Sequence, residues 1–433
     1  MTNIAIVVLD TLRKDFFDNA FDWLPGLRFE NTLSPGRYTV PAHASLFTGK
    51  YPSEIGVHSQ SEFLDCDSPT LAESLQSQGY RTRAISANTL CSPINGFDRG
   101  FDEFIPIGVA NSLNEEIFNW GSAVSNSSKT GLFRDLSLIG KCIMSDCKTV
   151  SSLKHGYRRK RGIHSVKEAY SLVKRLEISE REFLFLNIMD AHGPYQPPSS
   201  YRSIEAESLT LADKMELENK GQIERQRNAY EDCVRFLSHE YKSIFKILID
   251  EFDYVITLSD HGELFGEYDR MMRHKAGVFP ELTHVPLCIS GDGIGNGKED
   301  RATGLIDVHQ TVLSMAGTSV KSQGEDLLQN PDVQSYHTEH HGLRDGVRNR
   351  LSELGMSREK VQAWDTPKIG VTLSDAKYIF EGFDGEVHPP TSEKKVQEHV
   401  IENKKSEITF ERTSDVVEVD DEVKSQLNQL GYM

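Results

Sequence analysis

The chain has 433 residues, 38% of them hydrophobic, and a formal net charge of −17 at pH 7. This size and composition predict a large globular protein with one α/β core and a smaller second unit. The negative charge argues against nucleic acid as a partner, but it is compatible with a small anionic substrate in a locally positive pocket. No signal peptide or membrane span is visible, and the six cysteines form no CxxC pair, which predicts free thiols and a cytoplasmic protein.

The first element of the chain is a short apolar run that ends in an acid. Val7, Val8 and Leu9 precede Asp10, as in a buried strand of a parallel sheet. Two long stretches, 1 to about 105 and 165 to about 320, alternate such runs with amphipathic helical segments. This pattern predicts a doubly wound, mostly parallel sheet, with Asp10 at the edge where ligands bind.

A short helix is predicted next, from about Pro41 to Thr48. Proline near the first helical position and Gly49 just past the end are typical helix boundaries. Thr39 then lies at or just before the N-cap, where unpaired N–H groups and the helix dipole favour a phosphate or sulfate. Thr39 is therefore a candidate nucleophile, and an ordinary N-cap residue is the alternative interpretation.

The middle of the chain interrupts the alternating pattern. Residues 110–164 are rich in Ser and Asn and then in Arg and Lys, and we interpret them as an insertion over the active-site edge. A polar segment, 199–226, follows later and leads into a helix that is predicted from about Arg227 to Glu251.

Two later strand-like runs also end in polar residues, Asp190 with His192 and Asp260 with His261. Together with Asp10, carboxylate and imidazole groups at one sheet edge predict a site for a divalent cation. Mn, Zn, Fe and Mg suit this donor set, and Ca is a further candidate. For any one of these acids, a helix cap or turn is an equal alternative.

Histidines outside these strand ends are weaker metal candidates. The run from His337 to His341 has no distant partner with a matching motif, so we interpret it as an exposed polar turn. A second metal site would need further ligands, which Asp190 with His274 or His284 could supply, and the alternative for His284 is that it begins a strand. The sequence does not decide between one metal and two.

The character of the chain changes near residue 326. Residues 368–383 predict two strands joined by a turn, and residues 423–430 predict a closing helix. We therefore predict a catalytic α/β domain over 1–325 and a small C-terminal α+β subdomain over 326–433 that shapes the substrate cleft.

Four motifs occur along the chain in a characteristic order: NIAIVVLDTLRKD (3–15), TVPAHASLFTGKYPSEIGVH (39–58), DAHGPYQPP (190–198) and SDHGELFGE (259–267). They resemble the motifs of the sulfatase family within the alkaline phosphatase superfamily. The resemblance implies an alkaline-phosphatase-like fold and a nucleophile at Thr39. It also implies one cation site, with a second one as an alternative, whose ligands would be Asp10, Thr39, Asp260 and His261.

The same resemblance implies roles on the substrate side. His192 matches the family's substrate-side histidine and is the candidate general acid for the leaving oxygen. His274 and Lys275 follow the second metal motif at the distance where the family places a cation on the transferring group. Either could balance charge on the equatorial oxygens.

The departures from the family pattern bear on the reaction. Sulfatases carry Cys or Ser at the nucleophile position and oxidise it to formylglycine, so formylglycine is not expected at Thr39. The arginine that ends the nucleophile motif is replaced by His43, which is a further catalytic candidate, and the acid after Asp10 is replaced by Thr11. The region around Asn88 lacks the Lys and His that sulfatases carry there.

A Thr nucleophile is what phosphodiesterases and phosphoryl transferases of the superfamily use. We therefore predict metal-dependent cleavage of a phosphate monoester, diester or phosphonate through Thr39. The substrate would be a small molecule or an ester linked to a glycan or lipid. Two alternatives stay open: a sulfate-ester hydrolase with an unmodified Thr, and an inactive ligand-binding homologue, which the missing cations near Asn88 would favour.

Overall fold

The computed structural model describes most of the chain, and the described residues are 2–108, 110, 118, 120, 123, 131–145, 147–150, 152–153, 164–329, 335–373, 375–389 and 394–410. Most of the predicted insertion over 110–164 lies outside these ranges. The predicted closing helix over 423–430 also lies outside the described residues.

One large sheet dominates the described chain. Its strands are β1 (Ile4–Leu9), β2 (Leu27–Leu33), β3 (Arg81–Ser86), β4 (Glu103–Pro106), β5 (Glu182–Ile188), β6 (Tyr254–Leu258), β7 (His284–Gly291) and β8 (Gly297–Gly304). Their spatial order is β4-β3-β5-β1-β6-β7-β2-β8. Neighbouring strands are parallel except at β7, which runs antiparallel to both β6 and β2. The predicted mostly parallel sheet is confirmed.

The α-helices that the structure describes are α1 (Lys14–Ala20), α2 (Thr39–Thr48), α3 (Pro52–Ile55), α4 (Leu71–Ser77), α5 (Gly131–Met144), α6 (Ser165–Val173), α7 (Leu211–Met215), α8 (Lys220–Glu251), α9 (Pro280–Thr283), α10 (Leu305–Met315), α11 (Asp345–Glu353), α12 (Arg358–Asp365) and α13 (Lys394–Glu407). A short 3₁₀ helix spans Pro93–Asn95. Helix α8 begins earlier than the predicted Arg227. The side chain of Asn219 accepts a hydrogen bond from the N–H of Gln222 and caps this earlier start.

Strand β1 is buried on both faces, and its side chains alternate between two hydrophobic cores. Val7 belongs to the core that includes residues of α1, α6 and α8. Val8 belongs to the core that includes residues of α2, α4 and α10. Helices therefore cover both faces of the sheet, which is the doubly wound arrangement that the continuous apolar run predicts.

A smaller antiparallel sheet follows the large one in sequence. Its strands are β9 (Tyr336–His340), β10 (Lys368–Thr372), β11 (Tyr378–Glu381) and β12 (Val387–His388), in the spatial order β12-β11-β10-β9. The two strands predicted over 368–383 are β10 and β11. The α+β character of the C-terminal part is confirmed, whereas the domain boundary between residues 325 and 326 stays a prediction.

The histidine-rich run 337–341 lies mainly in β9 and is buried, so the prediction of an exposed polar turn was wrong. The carboxylate of Glu339 lies within hydrogen-bond distance of Nε2 of His337 and Nε2 of His341. It also accepts hydrogen bonds from the N–H and hydroxyl of Ser53, which lies 286 residues earlier in the chain. Buried polar groups require such partners, and local sequence does not reveal partners this distant.

Two features of composition can be followed into the structure. All six cysteines are free thiols. Among the helices of the described ranges, none combines the length and the apolar character that crossing a membrane requires.

Candidate active site

The candidate site lies at the carboxyl edge of the large sheet. Asp10 follows β1, Asn88 lies two residues past β3, and Asp260 and His261 follow β6. Since β1 pairs with both β5 and β6, and β3 pairs with β5, these strand ends are close neighbours. The sheet therefore brings together residues that lie about 250 positions apart in sequence.

Asp10, Asp260 and His261 form a buried cluster in which one ligand atom from each residue lies within 4.8 Å of the others. Backbone N–H groups orient this cluster, because those of Thr11 and His261 donate to Oδ1 of Asp260 at 3.1 and 2.9 Å. Oδ2 of Asp260 and Nε2 of His261 lie 3.4 Å from each other, and both are buried without a hydrogen bond among the described residues. Such lone pairs are rarely left unsatisfied, so a bound cation fits here.

The pKa shifts of Asp10 and Asp260 also favour a bound cation at this cluster. Burial raises the pKa of Asp260, and the adjacent Asp10 carboxylate raises this pKa further. Burial also favours the protonated form of Asp10, but nearby imidazoles, led by His192 and His261, lower its pKa overall. A divalent cation would stabilise both anions at once, and the mixed oxygen and nitrogen donors suit an ion of the Mn, Zn or Mg kind.

The candidate nucleophile is the first residue of α2. The structure places Tyr38 at the N-cap position, and the helix has no capping hydrogen bond from a side chain, so the N-cap interpretation of Thr39 was wrong. Instead, Oγ1 of Thr39 accepts a hydrogen bond of 3.0 Å from Nδ2 of Asn88. The same amide nitrogen donates to Oδ2 of Asp10 at 2.7 Å. Asn88 therefore links the hydroxyl to the candidate metal cluster.

From the sequence we predict no role for Asn88 and note only that the region around it lacks the Lys and His of sulfatases. The structure instead gives it two buried contacts in the centre of the site. The available signal was its position shortly after the apolar end of β3, which parallels the position of Asp10 after β1. Polar residues at successive carboxyl ends of a parallel sheet indicate a shared site, even when they are not the residues of a known motif.

Replacing Asn88 with alanine is expected to lower kcat by about 10- to 100-fold, because Thr39 and Asp10 both lose a donor that orients them. KM should change much less, since Asn88 is fully buried behind the hydroxyl. Steady-state kinetics on the preferred ester measures both constants. Asn31→Ala provides a control away from the cluster, because the Asn31 amide donates to the carbonyl of Asp300 in the neighbouring strand β8. Unchanged kcat in Asn88→Ala would contradict the orienting role.

His43 lies one turn after Thr39, the candidate nucleophile, in α2 and is fully buried. Its Nδ1 lies 2.9 Å from the carbonyl oxygen of Thr39 and 3.5 Å from Oδ2 of Asp260. Its Nε2 lies 3.0 Å from the side-chain amide of Asn187. These contacts suit a residue that positions the start of α2, and the catalytic role of His43 stays a prediction.

A pocket beside Thr39 contains the cations that the Asn88 region lacks. Its lining includes Arg37, His274, Lys275 and Arg344. The guanidinium of Arg37 is buried and donates to Nδ1 of His340 and to two backbone carbonyls. Burial lowers the pKa of Arg37 to about 10, so this side chain remains charged at neutral pH. The missing cations at residues 87–90 led us to expect little positive charge near Thr39. The structure supplies that charge from other parts of the chain.

The basic groups in this part of the site are crowded. Burial lowers the pKa of Lys275, and the nearby charges of Lys214, Arg344 and Arg37 lower it further. Burial likewise lowers the pKa of His274, even though Glu263 favours the charged imidazole. Several basic groups held together against their own repulsion are typical of a pocket that receives an anion.

His192 and His274 extend this pocket from the metal cluster. The ring of His274 lies 4.5 Å from that of His261, and the ring of His192 lies 5.5 Å from that of His274, measured between centroids. Nδ1 of His192 lies 2.7 Å from the carbonyl oxygen of Gly193, which fixes the orientation of this imidazole. The structure thus brings both predicted histidines together with the metal cluster.

Two other candidates for a second metal have structural roles. Oδ2 of Asp190 accepts hydrogen bonds from the hydroxyl of Ser165 and the N–H of Val166, at the start of α6. His284 begins β7, and its Nε2 lies 2.6 Å from the carbonyl oxygen of Glu30. The one group that could hold a metal among the described residues is Asp10, Asp260 and His261, so a second metal at Asp190 or His284 stays a prediction that these contacts do not favour. A helix terminus and a neighbouring strand provide their partners instead.

Gly262 follows the candidate ligand His261 at a point where the backbone is closely packed. A Cβ atom there would lie 2.0 Å from the carbonyl oxygen of Glu281. Gly262→Ala is therefore expected to lower the free energy of unfolding by about 1–3 kcal/mol and to weaken metal binding by displacing His261. Denaturant unfolding and metal titration check the two effects. Gly295→Ala is the control, since its Cβ meets nothing within 4 Å, and equal stability of both variants would contradict the prediction.

The sequence of the chain is similar to that of a known protein family. The sequence model described as Sulfatase matches residues 18–318, which is most of the chain. Choline-sulfatase from Rhizobium meliloti is 23% identical over 368 residues, covering 74% of this chain and 68% of the relative.

Solved structures share the fold at low sequence identity. The phosphonate monoester hydrolase of Silicibacter pomeroyi has a TM-score of 0.64 at 16% identity, covering 96% of this chain and 97% of its own. That of Agrobacterium radiobacter has a TM-score of 0.58 at 15% identity, covering 100% of this chain and 94% of its own. A protein of the alkaline phosphatase superfamily from Vibrio parahaemolyticus also shares the fold, with a TM-score of 0.51 at 17% identity, covering 93% of this chain and 88% of its own. Since the family model matches most of its length, the chain belongs to the sulfatase family, a family of hydrolases.

Proposed function

We propose that the chain cleaves phosphate esters with Thr39 as nucleophile and with a divalent cation held by Asp10, Asp260 and His261. The observation that carries the proposal is the pair of hydrogen bonds from Asn88. One amide nitrogen donates to both Oγ1 of Thr39 and Oδ2 of Asp10. A threonine that only caps a helix would not require a hydrogen bond that connects it to Asp10. A nucleophile must be held close to the metal ligands, and the Asn88 amide provides that connection.

The identity of residue 39 favours phosphorus over sulfur as the centre attacked. The sulfatase resemblance implies a hydrated aldehyde formed from Cys or Ser, and Thr39 offers a plain secondary hydroxyl instead. Such a hydroxyl suits direct displacement at phosphorus, with a phosphothreonine that a second displacement resolves. Two phosphonate monoester hydrolases with the same fold add support for phosphorus chemistry.

Thr39, Asn88, Arg37 and Lys275 would have different roles in the displacement at phosphorus. The bound cation would supply positive charge that favours ionisation of the Thr39 hydroxyl. Oγ1 of Thr39, having lost its proton to solvent water, would form a bond to phosphorus while the bond from phosphorus to the leaving oxygen breaks. Asn88 keeps Oγ1 oriented through its hydrogen bond of 3.0 Å. Arg37 and Lys275, which line the pocket beside Thr39, would balance the negative charge on the remaining phosphoryl oxygens.

The leaving oxygen requires a proton, and His192 is the candidate donor. Its Nδ1 lies against the carbonyl of Gly193, so proton transfer would use Nε2. Burial lowers the pKa of His192, while the negative charge of Asp10 opposes that effect. An anionic phosphoryl group entering the pocket would favour the imidazolium further, which prepares His192 to donate.

Hydrolysis of sulfate esters is the second candidate function. The family match and the similarity to a choline-sulfatase favour it. The same Thr39 and the same cations would then act on sulfur. A catalytically inactive, ligand-binding homologue is the remaining alternative, and the orphaned lone pairs of Asp260 and His261 argue against it.

A substrate panel with one common leaving group tests these proposals. Rates are measured for 4-nitrophenyl phosphate, bis(4-nitrophenyl) phosphate, 4-nitrophenyl phenylphosphonate and 4-nitrophenyl sulfate, each with Mn, Zn, Mg and Ca. We expect metal-dependent release of nitrophenol from the phosphorus esters to exceed release from the sulfate. Adding glycerol and analysing the products shows whether water or an alcohol accepts the phosphoryl group. Preference for sulfate would establish the second candidate, and no turnover with any ester would establish the inactive homologue.

A further inference from the structure

A second pocket opens on the side of the site where the leaving group would lie. Its lining includes His192, Tyr195, Lys214, Gln226 and Arg273. It shares His274 and Lys275 with the pocket beside Thr39, so the two pockets adjoin. Because His192 is the proposed proton donor to the leaving oxygen, the group attached to that oxygen would enter this second pocket, which we name the outer pocket.

Arg273 is fixed within the outer pocket by contacts on several sides. Its guanidinium lies over the ring of Tyr195, 4.0 Å from the ring centroid, and 3.4 Å from a carboxylate oxygen of Glu263. A Cβ atom on Gly193 would lie 1.8 Å from Nη1 of Arg273, which shows how closely the guanidinium packs on that backbone. The same Glu263 carboxylate accepts hydrogen bonds from Tyr195 and lies 3.0 Å from Nδ1 of His274. One carboxylate therefore serves two basic side chains.

Lys214 has no ion-pair partner of its own among the described residues. It lies in helix α7, half-buried, and within the ranges that the structure describes its ammonium group makes neither an ion pair nor a hydrogen bond. The acid that also lines the outer pocket, Glu207, binds elsewhere: its carboxylate accepts a hydrogen bond from Gln222 and lies 3.7 Å from Arg225. Burial lowers the pKa of Lys214, and the charge of Arg273 lowers it further, whereas Glu263, which already lies against Arg273 and His274, opposes this effect only in part.

We propose that the leaving group of the substrate carries its own anionic group, a carboxylate, sulfate or phosphate, which binds Lys214 in the outer pocket. This inference rests on the proposed function, because that function assigns the leaving group to the side of His192. Lys214 is then a specificity residue: it contacts the alcohol part of the ester and takes no part in bond breaking. The ammonium group of Lys214 is a point charge on a flexible side chain, and Arg273 is held beside it. Lys214 can therefore bind a carboxylate, a sulfate or a phosphate, because it does not require one fixed hydrogen-bond geometry.

Two esters that differ only in charge test the proposal. The 3-carboxy-4-nitrophenyl and 3-carboxamido-4-nitrophenyl esters of phenylphosphonate have leaving groups of nearly equal size, and both release a coloured phenol. The readout is the ratio of kcat/KM for the carboxylate ester to that for the carboxamide ester. For the wild-type protein we expect a ratio of about ten or more, which corresponds to about 1.4 kcal/mol, and a smaller ratio at high salt.

Variants of Lys214 identify the source of this ratio. Lys214→Met should bring the ratio to about one, because methionine keeps much of the side chain and removes the charge, and Lys214→Arg should preserve the preference. Lys220→Met is the matched control, an exposed lysine at the start of α8 that does not line the outer pocket. A wild-type ratio near one, or an unchanged ratio in Lys214→Met, would overturn the proposal.

Binding of the free leaving alcohols separates this proposal from the proposed function. Calorimetry should show tighter binding of 5-hydroxy-2-nitrobenzoate than of 5-hydroxy-2-nitrobenzamide to the wild type, and no difference with Lys214→Met. If neither phosphonate ester is cleaved but the carboxylate alcohol still binds through Lys214, the phosphoesterase assignment fails and the anion subsite stands. Equal binding of both alcohols to the wild type overturns the subsite.

Discussion

Replacing Thr39 with alanine is expected to lower kcat for the preferred phosphate ester by about 10³-fold or more, because the atom that bonds to phosphorus is removed. KM should change far less. Arg37 and Lys275, which would hold the ester, are retained, as are Asp10, Asp260 and His261, the three candidate metal ligands other than Thr39 itself. Single-turnover and steady-state rates with purified, metal-loaded protein measure both effects.

Two matched variants show whether the loss belongs to the Thr39 oxygen. Thr39→Ser keeps that oxygen and should retain activity to within about tenfold. Thr48→Ala removes a buried hydroxyl from the other end of α2, where it donates only to the carbonyl of Ala44, and should leave kcat nearly unchanged. If Thr39→Ala remained as active as Thr48→Ala, the nucleophile would have to be another residue.

The second large effect concerns the metal cluster. Chelator treatment is expected to abolish turnover, and returning the correct divalent ion should restore it. Because an ion that binds only the folded protein adds stability, saturation at about 100 times Kd should raise the free energy of unfolding by about 2.7 kcal/mol. Asp260→Asn should lose this metal-dependent gain. Without metal the same variant should be at least as stable as the wild type, since burial and Asp10 already disfavour the Asp260 anion.

Asp190→Asn is the control for that experiment. Asp190 also follows a buried strand, but it caps the start of α6 rather than joining the cluster. Its variant should lose little stability, because asparagine keeps an oxygen that can accept the same hydrogen bonds, and it should keep the full metal-dependent gain. Thermal unfolding with and without metal gives both quantities. Metal stabilisation that survives in Asp260→Asn, or disappears in Asp190→Asn, would contradict the assignment of the ligands.

The parts of the fold that could be predicted are those with local signals. Apolar runs such as 4–9 and 254–258 have the length and composition of buried parallel strands, and the structure has β1 and β6 there. An acid directly after such a run lies at the ligand-binding edge whenever the strands are neighbours in one sheet. This is why Asp10 and Asp260 could be paired from sequence, although the order of the strands could not.

The same local signal failed for Asp190, because the residue that follows a strand can turn toward an adjacent helix instead of the site. Its carboxylate satisfies the N-terminus of α6, and sequence alone does not distinguish the two outcomes. The helix α2 likewise begins two residues before the predicted Pro41, which moves Thr39 from the cap into the first turn. This shift of two residues decides whether the hydroxyl caps the helix or accepts a hydrogen bond from Asn88.

The charges around the site could not be predicted for a different reason. Arg37 and Arg344 line one pocket with Lys275, although they come from opposite ends of the chain. Lys214 reaches the outer pocket from a short helix in a polar segment that has no recognisable motif. Tertiary packing across hundreds of residues brings these side chains together, and local sequence does not reveal it. The loss of two family cations near Asn88 therefore suggested less positive charge around the candidate site than the structure has.

The central claim is that Thr39 forms a covalent bond to the transferred group. The most direct test is to quench the metal-loaded protein with acid during turnover of a phosphodiester or phosphonate ester and to analyse its peptides by mass spectrometry. The account predicts one added phosphoryl or phosphonyl group on Thr39, absent from Thr39→Ala. Turnover with the added group on another residue, or with none on the wild-type protein at any quench time, would contradict it.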